Sequence, residues 1–209
     1  MFTPIDKFLY SDNITVVKIG KEYIFPIYKN GSSSLLRHCQ NVSGMQLYHS
    51  DLHSISDDIT VILRDPIERF QSGLATVIFN LKTQNPELDS NTIEFLLKKY
   101  LYLDIHYIPQ FHWILNLSRF IKPEVKFHFR SMQYLKKITS LNETPRKANG
   151  INVDYQIAQD LYLQLDTILY NQIGNKLTFQ EIMTIIKNDK DSGYYDIINI
   201  PLSLIDLIQ

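Results

Sequence analysis

One cysteine, Cys39, stands among 209 residues, so no disulfide can close within the chain and the cysteine-rich zinc patterns are excluded. Glycine and proline are scarce, at 7 and 8 residues, and low-complexity tracts are missing, which argues against a disordered chain. No uninterrupted apolar run is long enough to span a bilayer. Residues Met1 to Lys7 lack the basic stretch leading into an apolar core that marks a signal peptide. Neither charge dominates: 21 Lys and Arg face 22 Asp and Glu, a formal net charge of -1. Such a chain is not expected to bind nucleic acid or an anionic membrane through bulk charge, so an anion site must come from local residues. The expectation is a soluble, cytoplasmic protein with no membrane and no nucleic-acid partner.

What is abundant is apolar and aromatic. Hydrophobic residues make up 44%, with 13 Tyr and 11 Phe, enough to give residues 1–209 the core of a single domain. Ile14 to Ile19 and Tyr23 to Tyr28 read as two short strands around a Gly20-Lys21 turn, and Met45 to His49 as a third. Ile59-Thr60-Val61-Ile62-Leu63 is β-branched and apolar throughout, the pattern of a strand buried on both faces. Val125 to Phe129 alternates as a further strand. Helical spacing covers about 33–40, 67–81, 91–100, 111–117 and 132–138, and most of 154–186. Strands alternating with helices predict an α/β domain with a central, mainly parallel sheet flanked by helices, and a helical C-terminal part.

The stretch Tyr28-Lys29-Asn30-Gly31-Ser32-Ser33-Ser34-Leu35 carries the first chemistry. It breaks a strand with a tight turn and opens a helix. The first N–H groups of a helix have no internal partner, and the helix dipole places positive charge there. Gly31 lets backbone approach an anion, the serines offer caps or hydroxyl donors, and Lys29 adds a full charge. A phosphate or sulfate cradle results. The plain alternative is a helix capped by serines with glycine in its turn. The nucleotide P-loop places Lys after the last Gly and before Ser/Thr; here Lys precedes Gly, which counts against ATP or GTP.

The second stretch is Leu63-Arg64-Asp65-Pro66-Ile67-Glu68-Arg69-Phe70-Gln71-Ser72. An apolar strand delivers Arg64 to its C-terminal end, the edge where open α/β sheets bind ligands. Arg64 and Ser72 can grip one phosphate together, the guanidinium through a charge-assisted fork. Arg64 can equally pair with Asp65 or Glu68. Arg69, beside Glu68, reads as a solvated helix residue.

Taken together, the two stretches resemble the sulfotransferases that use 3′-phosphoadenosine 5′-phosphosulfate (PAPS), above all the carbohydrate O-sulfotransferases acting on heparan- or chondroitin-type glycans. The resemblance covers roughly residues 22–135. It implies a P-loop-like three-layer fold and PAPS as sulfuryl donor. The first loop, Lys29, Asn30, Gly31, Ser32, Ser33 and Ser34, would take the 5′-phosphosulfate, and Arg64 with Ser72 the 3′-phosphate. Family members carry Pro immediately before the Lys, where this chain has Tyr28, with Pro26 further back.

Sulfuryl transfer also needs a base for the acceptor hydroxyl and a cation for the leaving oxygen. Lys29 is the candidate cation. Tyr48-His49-Ser50-Asp51 is similar to the His-x-Asp segment of heparan sulfate 6-O-sulfotransferases, which makes His49 the first candidate base and His53 the second. Asp51 is a turn residue or an orienting carboxylate. His49 and His53 could share a metal on a helix, but no third ligand lies nearby, so none is expected. His106-Tyr107-Ile108-Pro109-Gln110 resembles the His-x-x-Pro-Gln segment of several carbohydrate sulfotransferases, which would put His106 beside the acceptor; a buried loop histidine is the alternative. His112 and Trp113 pack or line an acceptor groove. Arg130 at a strand end and the Arg146-Lys147 loop are weaker candidates for cofactor contact. A nucleotide kinase or NTPase binding ATP and magnesium, and a non-catalytic anion- or glycan-binding module, are the rival readings.

Overall fold

The computed structural model describes residues 14–93, 95, 108–139 and 162–189. It is a mixed α/β structure around a six-stranded sheet: β1 (Thr15–Ile19), β2 (Glu22–Phe25), β3 (Met45–Tyr48), β4 (Ile59–Leu63), β5 (Lys126–Ser131) and β6 (Lys176–Thr178). The spatial order is β3-β1-β2-β4-β5-β6. Helices α1 (Ser32–Asn41), α2 (His49–Leu52), α3 (Pro66–Gln84), α4 (Gln110–Ser118), α5 (Met132–Thr139), α6 (Tyr162–Tyr170) and α7 (Phe179–Asn188) connect and cover it.

The expected mainly parallel sheet needs correction. β2–β4 and β4–β5 are parallel, whereas β1–β2, β1–β3 and β5–β6 are antiparallel. The reasons lie in the connections. Gly20 and Lys21 join β1 to β2 in a two-residue turn with Gly20 at φ 61, and so short a link permits only antiparallel pairing. Beyond it, α1 carries the chain across to the far side of β1, so β3 runs along β2 but against its own neighbour. At the other edge, β6 is a three-residue strand inside a stretch expected to be helical, paired to β5 at Phe127↔Leu177. Parallel strands are confined to the middle of the sheet.

Alternation along those middle strands feeds two helix layers. Ile59, Val61 and Leu63 of β4, with Phe127 and Phe129 of β5, pack into a core with residues of α4, α6 and α7. Ile62 of β4, Ile24 of β2 and Val17 of β1 turn the other way, onto Leu35 and Cys39 of α1 and Leu135 of α5. All five residues of β4 are buried, as its sequence requires of a strand covered on both faces. β2 stops at Phe25 rather than Tyr28, so residues 26–31 form a connection at the C-terminal edge of the sheet, the same edge at which β4 ends.

Candidate functional site

The connection from β2 to α1 is held in an unusual backbone shape. Lys29 and Gly31 both lie in the left-handed region, at φ 67 and φ 76. For Lys29 this costs of order 1 kcal/mol or more and persists only because its surroundings impose it. Arg69 Nε donates to Tyr28 O at 3.3 Å, and Arg64 Nη1 donates to Lys29 O at 3.2 Å. Asn30, 2% exposed, donates through Nδ2 to Ile62 O at 2.7 Å and to Gln110 Oε1 at 2.6 Å. Consecutive peptides of the loop are thus pinned by two arginines and a buried amide.

Gln110 completes the fastening. Its Oε1 also accepts from Arg64 N at 3.0 Å, while its Nε2 donates to Arg64 O at 3.0 Å. One wholly buried side chain therefore ties the end of β4 to the loop after β2. Gly31 is required twice over: its φ disfavours a side chain, and a Cβ there would overlap Leu135 Cδ2.

Gly31, not a serine, is the N-cap of α1, and no side chain caps that helix. The first N–H groups, at Ser32 and Ser33, have no intrahelical acceptor; those of Ser34 and Leu35 return to Gly31 O at 3.1 and 3.0 Å. The side chains of Ser32 and Ser34 are buried and that of Ser33 is exposed. Lys29 Nζ donates to Thr76 Oγ1 at 2.5 Å, and that hydroxyl donates to Ser72 O at 3.1 Å. Lys29 is therefore linked through α3 to the turn carrying Ser72, which is half-buried. Arg64 is 17% exposed and forms the pair with Glu68 that its sequence allowed, Nε to Oε2 at 3.5 Å, alongside its bond to the loop. Asp65 caps α3, accepting from Glu68 N at 3.0 Å, with Pro66 in the first turn.

Arg69 is not the solvated residue its sequence position suggested. It is 3% exposed, and Nη2 donates to Ile108 O at 2.6 Å. Nη1 lies 3.9 Å from Asp166 Oδ2 in α6, and Asp166 Oδ1 accepts from Phe111 N at 3.2 Å. Burial lowers the Arg69 pKa, with Asp166 opposing that shift; burial raises the Asp166 carboxyl, with Arg69 opposing. The missed signal was its helical face: Gly73 and Thr76, four and seven residues on, are also buried.

No family model, no curated protein and no solved structure matches this chain. The site therefore stands on its own geometry. That geometry joins Lys29, Asn30, Gly31, the start of α1, Arg64 and the α3 turn of Ser72 at one edge of the sheet.

The histidines lie differently. His49 opens the one-turn helix α2, is exposed, and sets its ring edge-on to Phe120 with centroids 6.1 Å apart. Tyr48↔Thr15 pairing puts the end of β3 at the same sheet edge as the end of β2, two strands away. His53 is exposed at the C-cap of α2. Asp51 takes the turn role, accepting from Tyr48 N at 3.3 Å. No group of three or more metal-ligating residues occurs among the described residues. His106 and the Arg146-Lys147 loop fall outside the described residues. His112 and Trp113 are buried, and burial pushes the His112 pKa down to about 4. Arg130 pairs with Ile62 across β4–β5, stacks over Tyr134 at 5.3 Å, and buries an Nε that has no hydrogen-bond partner. No described helix is long and apolar enough to cross a membrane.

Proposed function

We propose that the protein is a PAPS-dependent O-sulfotransferase acting on a carbohydrate hydroxyl. The observation that carries the reading is the direct fastening of the two motifs: Arg64 Nη1 on Lys29 O, and Gln110 bonded to both Arg64 and Asn30. Two anion-binding segments, 29–34 and 64–72, are far apart in sequence and adjacent in space, as a donor with phosphates at both ends of one nucleoside requires. Parallel strands β2, β4 and β5, with a loop and helix after β2, are the portion that a P-loop-like core would use.

In this reading the 5′-phosphosulfate lies against the N–H groups that open α1, with Gly31 allowing close approach. Arg64 and Ser72 take the 3′-phosphate. The acceptor oxygen attacks sulfur as the bond from sulfur to the bridging phosphate oxygen breaks, giving a sulfate ester and 3′-phosphoadenosine 5′-phosphate. The hydroxyl proton passes to a base, for which His49 is the first candidate, then His53 and His106. Lys29 stabilises the charge developing on the leaving phosphate; its ammonium has three donors and can keep Thr76 while doing so.

Calorimetric titration with 3′-phosphoadenosine 5′-phosphate, with ATP and magnesium in parallel, tests this. Binding of the bisphosphate that weakens at least roughly ten-fold in Arg64→Ala is expected, since a charge-assisted hydrogen bond is worth about 1.5–3 kcal/mol. ATP binding without bisphosphate binding would return the loop to nucleotide kinases. Bisphosphate binding without turnover in a broad acceptor screen would leave a binding module.

A further inference from the structure

We infer that Tyr28 is the stacking platform for the acceptor, and that the acceptor presents a pyranose ring to it; this rests on the sulfotransferase reading above. Tyr28 is 44% exposed at the lip of the site, immediately before Lys29. An exposed aromatic ring ordinarily pays entropy to be ordered by a ligand, but this one is already supported. Its ring lies on that of Trp113, centroids 5.1 Å apart and planes at 31°, and Trp113 is 3% exposed. Its carbonyl is held by the buried guanidinium of Arg69. The residue that follows is fixed at φ 67, so the direction in which the chain leaves Tyr28 is set as well. A rigid aromatic face with a wet side is the surface that the apolar face of a sugar ring recognises.

The side of the sheet decides between acceptor and nucleotide base. Trp113 belongs to the core beneath α4, whereas α1 packs into the opposite core, where Leu135 of α5 closes against Gly31. With the leaving phosphate at the start of α1, in-line attack brings the acceptor to sulfur from the side away from that helix. Tyr28, stacked on Trp113, stands on the face of the sheet opposite α1, which fits that approach. The base of the donor is separated from its phosphosulfate by a ribose, while the acceptor ring carries the attacking oxygen directly or through one methylene and so lies close to Lys29.

The test uses the full-length protein and hexasaccharides of alternating hexuronate and hexosamine, unsulfated, titrated by calorimetry with and without saturating 3′-phosphoadenosine 5′-phosphate. Trp113 is the only tryptophan, so its emission also reports whether a sugar has reached its neighbour. Tyr28→Ala is expected to weaken sugar binding roughly ten-fold, the equivalent of about 1.4 kcal/mol, leave bisphosphate affinity within about two-fold, and leave the circular dichroism unchanged. Tyr28→Phe should retain sugar binding. Equal sugar affinity in wild type and Tyr28→Ala would overturn the platform, as would absence of sugar binding to the wild type. A matching loss of bisphosphate affinity would place the ring at the base and overturn it too. Failure of the underlying reading looks different: the wild type would not bind the bisphosphate, whatever the sugar titration gave.

Discussion

Arg69 shows how much of a loop's shape one buried residue can carry. Its guanidinium touches Tyr28 O and Ile108 O and faces Asp166, so it links the loop, the segment before α4, and α6. Removing one partner of a buried ion pair strands the other, at a cost of about 3–5 kcal/mol. Arg69→Met and Asp166→Asn should each lower unfolding free energy in urea by about that much, and the double variant by less than the sum of the two. Additivity within ~0.5 kcal/mol would show that the two residues do not act as a pair. Gln110 is the uncharged counterpart. Its segment was singled out for His106, yet the residue that binds the two motifs together is the glutamine at its end, with both ends of its amide used. Sequence marks a residue type at a spacing; it does not show that the glutamine amide is buried with both ends bonded.

At the level of elements, legibility followed the directness of the signal. β4 runs over the five residues its apolar pattern outlined, and α3 begins at Pro66, one residue before the expected start, and ends at Gln84, three residues past the expected end. Both signals are local. The loop after β2 was placed, but its backbone shape was not, since the left-handed Lys29 depends on Arg64 and Arg69, 35 and about 40 residues away. β6 was missed because three residues are too few to show alternation, and the antiparallel edges were missed because strand direction depends on where a crossover lands. A local signal should have a local energetic effect. Asp65→Ala removes the acceptor for Glu68 N and is expected to cost about 1 kcal/mol in chemical denaturation, with Asp65→Asn or Asp65→Ser recovering most of it. A loss well above 2 kcal/mol would mean that Asp65 does more than cap α3.

Among the described residues the sheet is covered by helices on both faces, and α4 supplies Gln110, which ties the end of β4 to the loop carrying the candidate site. All nine residues of that helix are buried, including His112, whose pKa burial depresses from 6.5 to about 4. The consequence for global stability has a definite sign. Folded protein keeps His112 neutral down to about pH 4, while the unfolded chain takes up a proton near pH 6.5. Between those values the unfolded state binds more protons, so stability falls as pH falls, by about 1.4 kcal/mol per pH unit and about 3 kcal/mol in all. His128 is also shifted down, chiefly by burial, and contributes in the same direction, so the absolute pH curve cannot be assigned to one histidine. The difference between proteins can. His112→Phe keeps a ring in the core and has nothing to titrate, so between pH 7 and pH 4 the stability of the wild type relative to this variant should decline by about 3 kcal/mol. Parallel curves would show that burial does not hold the folded His112 below its ordinary pKa.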